Sequence, residues 1–154
     1  DEAIMNVILE KYHIRIGRKA AETLKMALGV EWDLNRDTRI CEVCGISIIT
    51  ELPVKIAVTG EIVAQALNPI LYRIFSGITS VIQMTPPAIL GDIREHGIVL
   101  IGGVAQLKGL KELVLKVTDM KAHVADHPSY VNAVGAGSAL EYMDYFRDSL
   151  QDLH

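Results

Sequence analysis

The run 97–110, Gly-Ile-Val-Leu-Ile-Gly-Gly-Val-Ala-Gln-Leu-Lys-Gly-Leu, constrains the fold of this chain most. Four apolar residues in a row, Ile98, Val99, Leu100 and Ile101, predict a strand buried on both faces, as in a parallel sheet. Gly102 and Gly103 end that strand, and an amphipathic helix is expected almost at once, over 106–116. Ligands of open α/β sheets bind at the carboxyl ends of strands, which is where the glycine pair falls. Without a Cβ, backbone there can approach a flat or charged group closely. The same local pattern fits a tight strand-to-helix turn with no ligand.

At 154 residues, half of them hydrophobic, the chain is long enough for one folded domain, or for a domain carrying a small insertion. A net charge of -4 argues against non-specific nucleic-acid binding, which needs a basic surface. The aromatic group Tyr142, Tyr145 and Phe146 has acidic neighbours and reads as packing, not as a base-stacking platform. No apolar run reaches the roughly 18 residues of a membrane span. The start has neither the basic residues nor the apolar stretch of a signal peptide. It enters on a helical pattern at Asp1 with no Met, as a piece of a longer chain would. Cys41 and Cys44 form a lone Cys-x-x-Cys, and no second ligand pair stands at zinc-site spacing. On a strand, residues three apart point to opposite faces, so two separate thiols are expected and no metal site.

Helical spacing of Ile4, Ile8 and Leu9 predicts a helix over 1–12. Gly17 and Gly29 bracket a second over 18–28, with Ala21, Leu24 and Leu28 inward. Glu22 and Lys25 share a face of it, and by themselves read as a solvated ion pair. Strand-like runs at 38–44, 47–50 and 55–58 are punctuated by Gly45 and Pro53. Thr59 can cap the next helix, in which Pro69 marks a kink or a break. A short helix over 89–94, a strand over 122–125 and a last helix over 139–150, after the breakers Gly135 and Gly137, complete an α/β order.

Three blocks resemble the bacterial actin MreB family. The first is Asp1-Glu2-Ala3-Ile4 followed by Ile16-Gly17-Arg18-Lys19-Ala20-Ala21-Glu22-Thr23-Leu24-Lys25. The second runs from Gly97 through Gly102, Gly103, Val104 and Ala105. The third joins Val124-Ala125-Asp126-His127-Pro128 to Gly135-Ala136-Gly137-Ser138-Ala139-Leu140-Glu141. Each motif is weak alone, but the three in order span nearly the whole chain. The resemblance implies the second half of an actin-like ATPase domain. A larger α/β subdomain would comprise 1–11 and 59–154, with a small helix-plus-hairpin subdomain inserted at 12–58. It implies ATP as ligand, with Glu22 and Lys25 reaching the adenosine and Gly102, Gly103, Val104 and Ala105 forming the adenine turn. The phosphates and Mg2+ would be held mainly by the family's first half, which also carries the membrane-binding element. Self-association into head-to-tail filaments in the cytoplasm, at the inner face of the membrane, and a role in cell shape are implied as well. The intact parent would be a slow ATPase, and this chain alone would be inactive.

Four positions depart from the family pattern. Val104 replaces a glycine, Ile101 a threonine, His127 an acidic residue and Arg18 a glutamate. A chaperone ATPase domain or a sugar or acetate kinase would share the fold. A plain dinucleotide binder is disfavoured because Gly102-Gly103 lacks the Gly-x-Gly-x-x-Gly spacing.

Overall fold

The computed structural model describes residues 1–30 and 39–142. Thr38, Tyr145, Phe146 and the end of the expected last helix lie outside the described residues. Helix α1 (Glu2–Tyr12) buries Ile4 and Ile8 and ends at His13 in the left-handed region, with φ 55°. Strand β1 (Ile14–Arg15) leads into α2 (Arg18–Leu28), which buries Ala21, Leu24 and Leu28. Gly29 stops α2 with φ 63°, a conformation that favours glycine.

Strands β2 (Ile40–Ser47) and β3 (Pro53–Thr59) form an antiparallel hairpin with unbroken register from Ile40↔Thr59 to Ile46↔Pro53. Strand β1 joins the other edge of β2, so the sheet order is β1-β2-β3. Cys41, Val43, Val54, Ile56 and Val58 line the inner face, against the core formed by α1, α2 and the first half of α3. Ile40, Glu42, Cys44 and Ile46 line the outer face and are exposed. Cys41 and Cys44 are thus free thiols on opposite faces of one strand.

The segment 47–50, expected as a strand, is a turn from residue 48 onward. Ser47 Oγ accepts from the backbone N–H groups of Ile49 and Thr50, both at 3.3 Å, and this local bonding replaces a ladder. β1 was not expected, because two residues carry no periodicity.

Helix α3 (Gly60–Met84) is continuous through Pro69. Pro69 lies on its exposed side, where water can take the carbonyl bond the ring displaces. Thr59 precedes the helix but makes no side-chain cap bond. All the buried residues of α3 fall between Gly60 and Leu71. Helix α4 (Pro87–His96) then leads to β4 (Ile98–Leu100), which pairs in parallel with β5 (Ala122–Val124). Between these strands lie a 3-10 turn (Gly103–Gln106) and α5 (Leu110–Thr118).

Burial of 98–101 on both faces does not hold. Val99 is 54% and Ile101 47% exposed, because this sheet has two strands and the described residues cover only part of it. The helix expected from Gln106 starts at Leu110 instead, since Gly109 adopts φ 84° and interrupts it. Helix α6 (Val131–Glu141) begins eight positions before the expected start and contains Gly135 and Gly137. Each glycine costs about 1 kcal/mol relative to alanine, a penalty that weakens a helix without breaking it.

Candidate functional site

The loops that follow β4 and β5 lie side by side at the carboxyl ends of the two parallel strands. Gly102 N–H donates to the Pro128 carbonyl at 2.7 Å, and Gln106 Nε2 donates to Ser129 Oγ at 2.9 Å. Opposite these loops stands α2. Between them is a cleft of about 380 Å3 lined by Glu22, Lys25, Met26, Gly103, Val104, Gln106, Leu107 and Ser129. That volume falls within the range of about 300–1,000 Å3 usual for small-molecule sites.

Four of the six residues singled out from the sequence therefore line one cleft: Glu22, Lys25, Gly103 and Val104. The other two do not line it. Ala105 is 5% exposed and anchors the 3-10 turn in the interior. Gly102 sits just before the turn with φ 84°. The two glycines thus differ. At Gly102 the backbone conformation itself favours glycine. At Gly103 φ is ordinary, and the nearest atom to an added Cβ would be Ser129 Oγ at 3.9 Å. Nothing within the described residues requires glycine at 103.

Glu22 and Lys25 do not pair with each other. Lys25 Nζ donates to Asp1 Oδ1 at 2.7 Å, and both side chains are partly buried. This bond holds the ammonium at the cleft edge and offsets its charge. Glu22 is exposed, and among the described residues no ion pair or hydrogen bond occupies its carboxylate. Arg18, one of the departures from the family pattern, pairs with Glu2 at 3.2 Å and is not among the lining residues. Val104 is 59% exposed and places its side chain on the rim.

Met26, Gln106, Leu107 and Ser129 were missed. Met26 is one turn beyond Glu22 on α2, so helical spacing could have found it. Ser129 had no local signal, because it arrives through the pairing of β4 with β5. Chemically, the cleft offers a carboxylate, an ammonium, an amide and a hydroxyl around an apolar floor with one bare backbone position. Such a site suits a flat, partly polar ligand with hydroxyl groups. Among the described residues no group of three or more His, Cys, Asp or Glu is placed to hold a metal ion. No described helix is long and apolar enough to cross a membrane.

Two parallel strands joined through helices, a hairpin-bearing α/β unit and a cleft between them match part of the fold of the actin-like ATPases. The structure of MreB5 of Spiroplasma citri bound to ADP superposes with a TM-score of 0.82 at 22% identity, over 92% of this chain and 43% of that one. The MamK double helical filament matches with a TM-score of 0.65 at 19% identity, over 84% and 39%. The chain belongs to the MreB/Mbl protein family, whose sequence pattern matches residues 1–148. It is 32% identical over 144 residues to the cell shape-determining protein Mbl of Bacillus cereus, covering 94% of this chain and 43% of that protein. It is 33% identical over 144 residues to the cell shape-determining protein MreB of Escherichia coli, covering 94% and 41%. The chain thus spans about two fifths of the length of the curated relatives it matches.

Proposed function

We propose that this chain supplies the adenosine side of an ATP site in a filament-forming, cytoplasmic bacterial actin homologue that helps set cell shape. The observation that carries the proposal is Gly103. It is bare toward the cleft, with no backbone strain or internal crowding to account for it, and it shares the cleft with Glu22 and Lys25. A purine ring laid against Gly103, Val104 and Met26 would bury its face on apolar surface. The Glu22 carboxylate would accept hydrogen bonds from the ribose hydroxyls, and Lys25, steadied by Asp1, would donate one. Gly102 and Ala105 shape the turn from behind. ATP, when bound, supplies the phosphoanhydride; the residues of this chain bind and orient its nucleoside end. Phosphates and Mg2+ would be held mainly by the other part of the family fold.

The neighbouring structures of MreB5 bound to ADP and to AMPPNP support the nucleotide reading, and the names of the relatives support the cell-shape reading. Under this proposal 12–58 forms a small subdomain inserted into a larger one of 1–11 and 59–154. Filaments would form head to tail through the hairpin tip, where Ile46, Ile48, Ile49 and Leu52 are all exposed.

Calorimetric titration of the chain with ATP and with Gly103→Val tests the central part. The expected result is binding by the parent sequence, weakened on the order of tenfold in the variant, with an unchanged melting temperature. Equal affinity would mean that Gly103 does not face the base.

A further inference from the structure

The two walls of the cleft are joined at one end by a crossing of bare backbone. One strand of the crossing is Gly29-Val30, which leaves the carboxyl end of α2. The other is Lys108-Gly109, which connects the 3-10 turn to α5. Val30 N–H donates to the Lys108 carbonyl at 2.8 Å. Lys108 Nζ donates to the Ala27 carbonyl at 3.3 Å, satisfying one of the open carbonyls at the end of α2. The segments pass so closely that neither glycine can carry a side chain. A Cβ at Gly109 would lie 1.6 Å from the Val30 carbonyl oxygen, and one at Gly29 would lie 2.6 Å from both the Cβ and the carbonyl oxygen of Lys108. Both glycines also have positive φ, 63° at Gly29 and 84° at Gly109. Leu28, Val30, Leu107 and Leu110 around the crossing are all buried.

This joint begins three residues beyond Met26 on one wall and two beyond Gln106 on the other. We infer that the crossing sets the separation of the cleft walls, with Gly29 and Gly109 as positioning residues for the bound nucleoside. The inference rests on the adenosine reading of the cleft. Close-packed atoms transmit a displacement instead of absorbing it, and backbone in direct, hydrogen-bonded contact leaves little freedom in its spacing. A Cβ at 109 must push the Val30 carbonyl away, and with it the end of α2 that carries Lys25 and Met26.

The test compares Gly109→Ala with Gly97→Ala. Gly97 has φ 83°, and its added Cβ would meet the Lys121 carbonyl oxygen at 2.7 Å, but it is not a cleft residue. Spin labels at Met26→Cys and Gln106→Cys, with Cys41 and Cys44 changed to Ser, report wall separation through their dipolar coupling. ATP affinity is measured on the unlabelled proteins. Both glycine variants should lower the melting temperature. Only Gly109→Ala should change the label separation and weaken ATP binding by on the order of tenfold or more, as expected for misplaced contacts. Unchanged separation in folded Gly109→Ala, or an equal change in Gly97→Ala, overturns the inference. If Gly109→Ala does not fold, Gly29→Ala and the milder Lys108→Ala take its place. The first should shift the separation and the second broaden its distribution, and no change in either overturns the inference. If the parent protein binds no ATP, the adenosine reading fails, while the label separations still decide the role of the crossing.

Discussion

The two sheets of this molecule follow different rules. The β1-β2-β3 sheet is antiparallel, and its inner-face residues Val43 and Val58 are buried while Glu42 and Lys55 opposite face water. One face is covered by α1, α2 and α3, while the other leaves Ile40 and Ile46 exposed beside charged residues. The β4-β5 sheet is parallel and apolar at every position but His123, yet Val99 and Val124 are exposed, as is Ile101 just beyond β4. Helix α6 has no buried residue, although Val134 and Leu140 are apolar. The first region encloses a core of its own and leaves apolar residues exposed mainly around the hairpin. The second carries more apolar surface than the described residues cover. The cleft lies where they meet, with α2 of the first as one wall and the loops of the second as the other.

The largest effect should come from emptying the first region. Ile8 is fully buried, so Ile8→Ala should cost about 2–5 kcal/mol, the transfer loss plus a cavity. Val134→Ala on α6 should cost less than about 0.5 kcal/mol. Chemical denaturation of both variants compares them, and equal losses would mean that α6 is packed against something in solution.

The same contrast decides what the sequence made legible. α1 and α2 were readable because their buried residues keep helical spacing and Gly29 marks the stop. The β2-β3 hairpin was readable in part: the runs at 38–44 and 55–58 mark its strands, but Gly45, read as punctuation, lies inside β2, and 48–50 is a turn. At 98–101 the continuous apolar run identified a parallel strand correctly, but burial depends on layers that a local pattern does not contain. Within the site, Glu22, Lys25, Gly103 and Val104 were legible through the family resemblance. Their convergence was not, because it depends on α2 and the 3-10 turn meeting at Gly29 and Gly109, more than 70 positions apart in the chain. Ser129 was illegible for the same reason.

The next effect in size concerns the cleft wall contributed by the first region. Lys25→Ala should weaken ATP binding several-fold and also release Asp1, lowering stability by about 1 kcal/mol or less, since the pair retains some exposure. Asp1→Asn separates these roles: it keeps the Lys25 charge in the cleft while removing its carboxylate partner. ATP affinity closer to the parent in Asp1→Asn than in Lys25→Ala is expected. The reverse order would place Lys25 outside the ligand contact.

A smaller effect on stability, with a clear readout elsewhere, is expected at the hairpin tip. Ile49 is 75% exposed, so Ile49→Asp should change stability by less than about 0.5 kcal/mol. If the filament proposal holds, Ile49→Asp in the full-length protein with ATP should abolish filaments seen by electron microscopy, because a charge would be buried at a head-to-tail contact. Normal filaments from the folded variant would exclude this tip as the contact.

The smallest effect belongs to the Lys55–Glu42 pair on the outer face of the hairpin. The hydrogen bond to Glu42 and its charge raise the Lys55 pKa above the ordinary 10.5. While Glu42 is ionised, whatever the pair contributes is therefore fully present below that value and is lost as pH rises through the raised one. Both groups are exposed, so Glu42→Gln should shift the melting temperature at neutral pH by less than about 1 °C. A larger shift would show that the outer face is covered in solution.

Under the proposed function, α2 and the loops after β4 and β5 together hold a nucleoside. Amide NMR of the isotopically labelled chain, titrated with adenosine and then with ATP, addresses it residue by residue. Signals of Glu22, Lys25, Met26, Gly103, Val104, Gln106 and Ser129 should move together with one affinity, while those of the hairpin tip at Ile48 and Ile49 stay in place. Saturating ligand that leaves the cleft signals unmoved, or that moves only one wall, would contradict it.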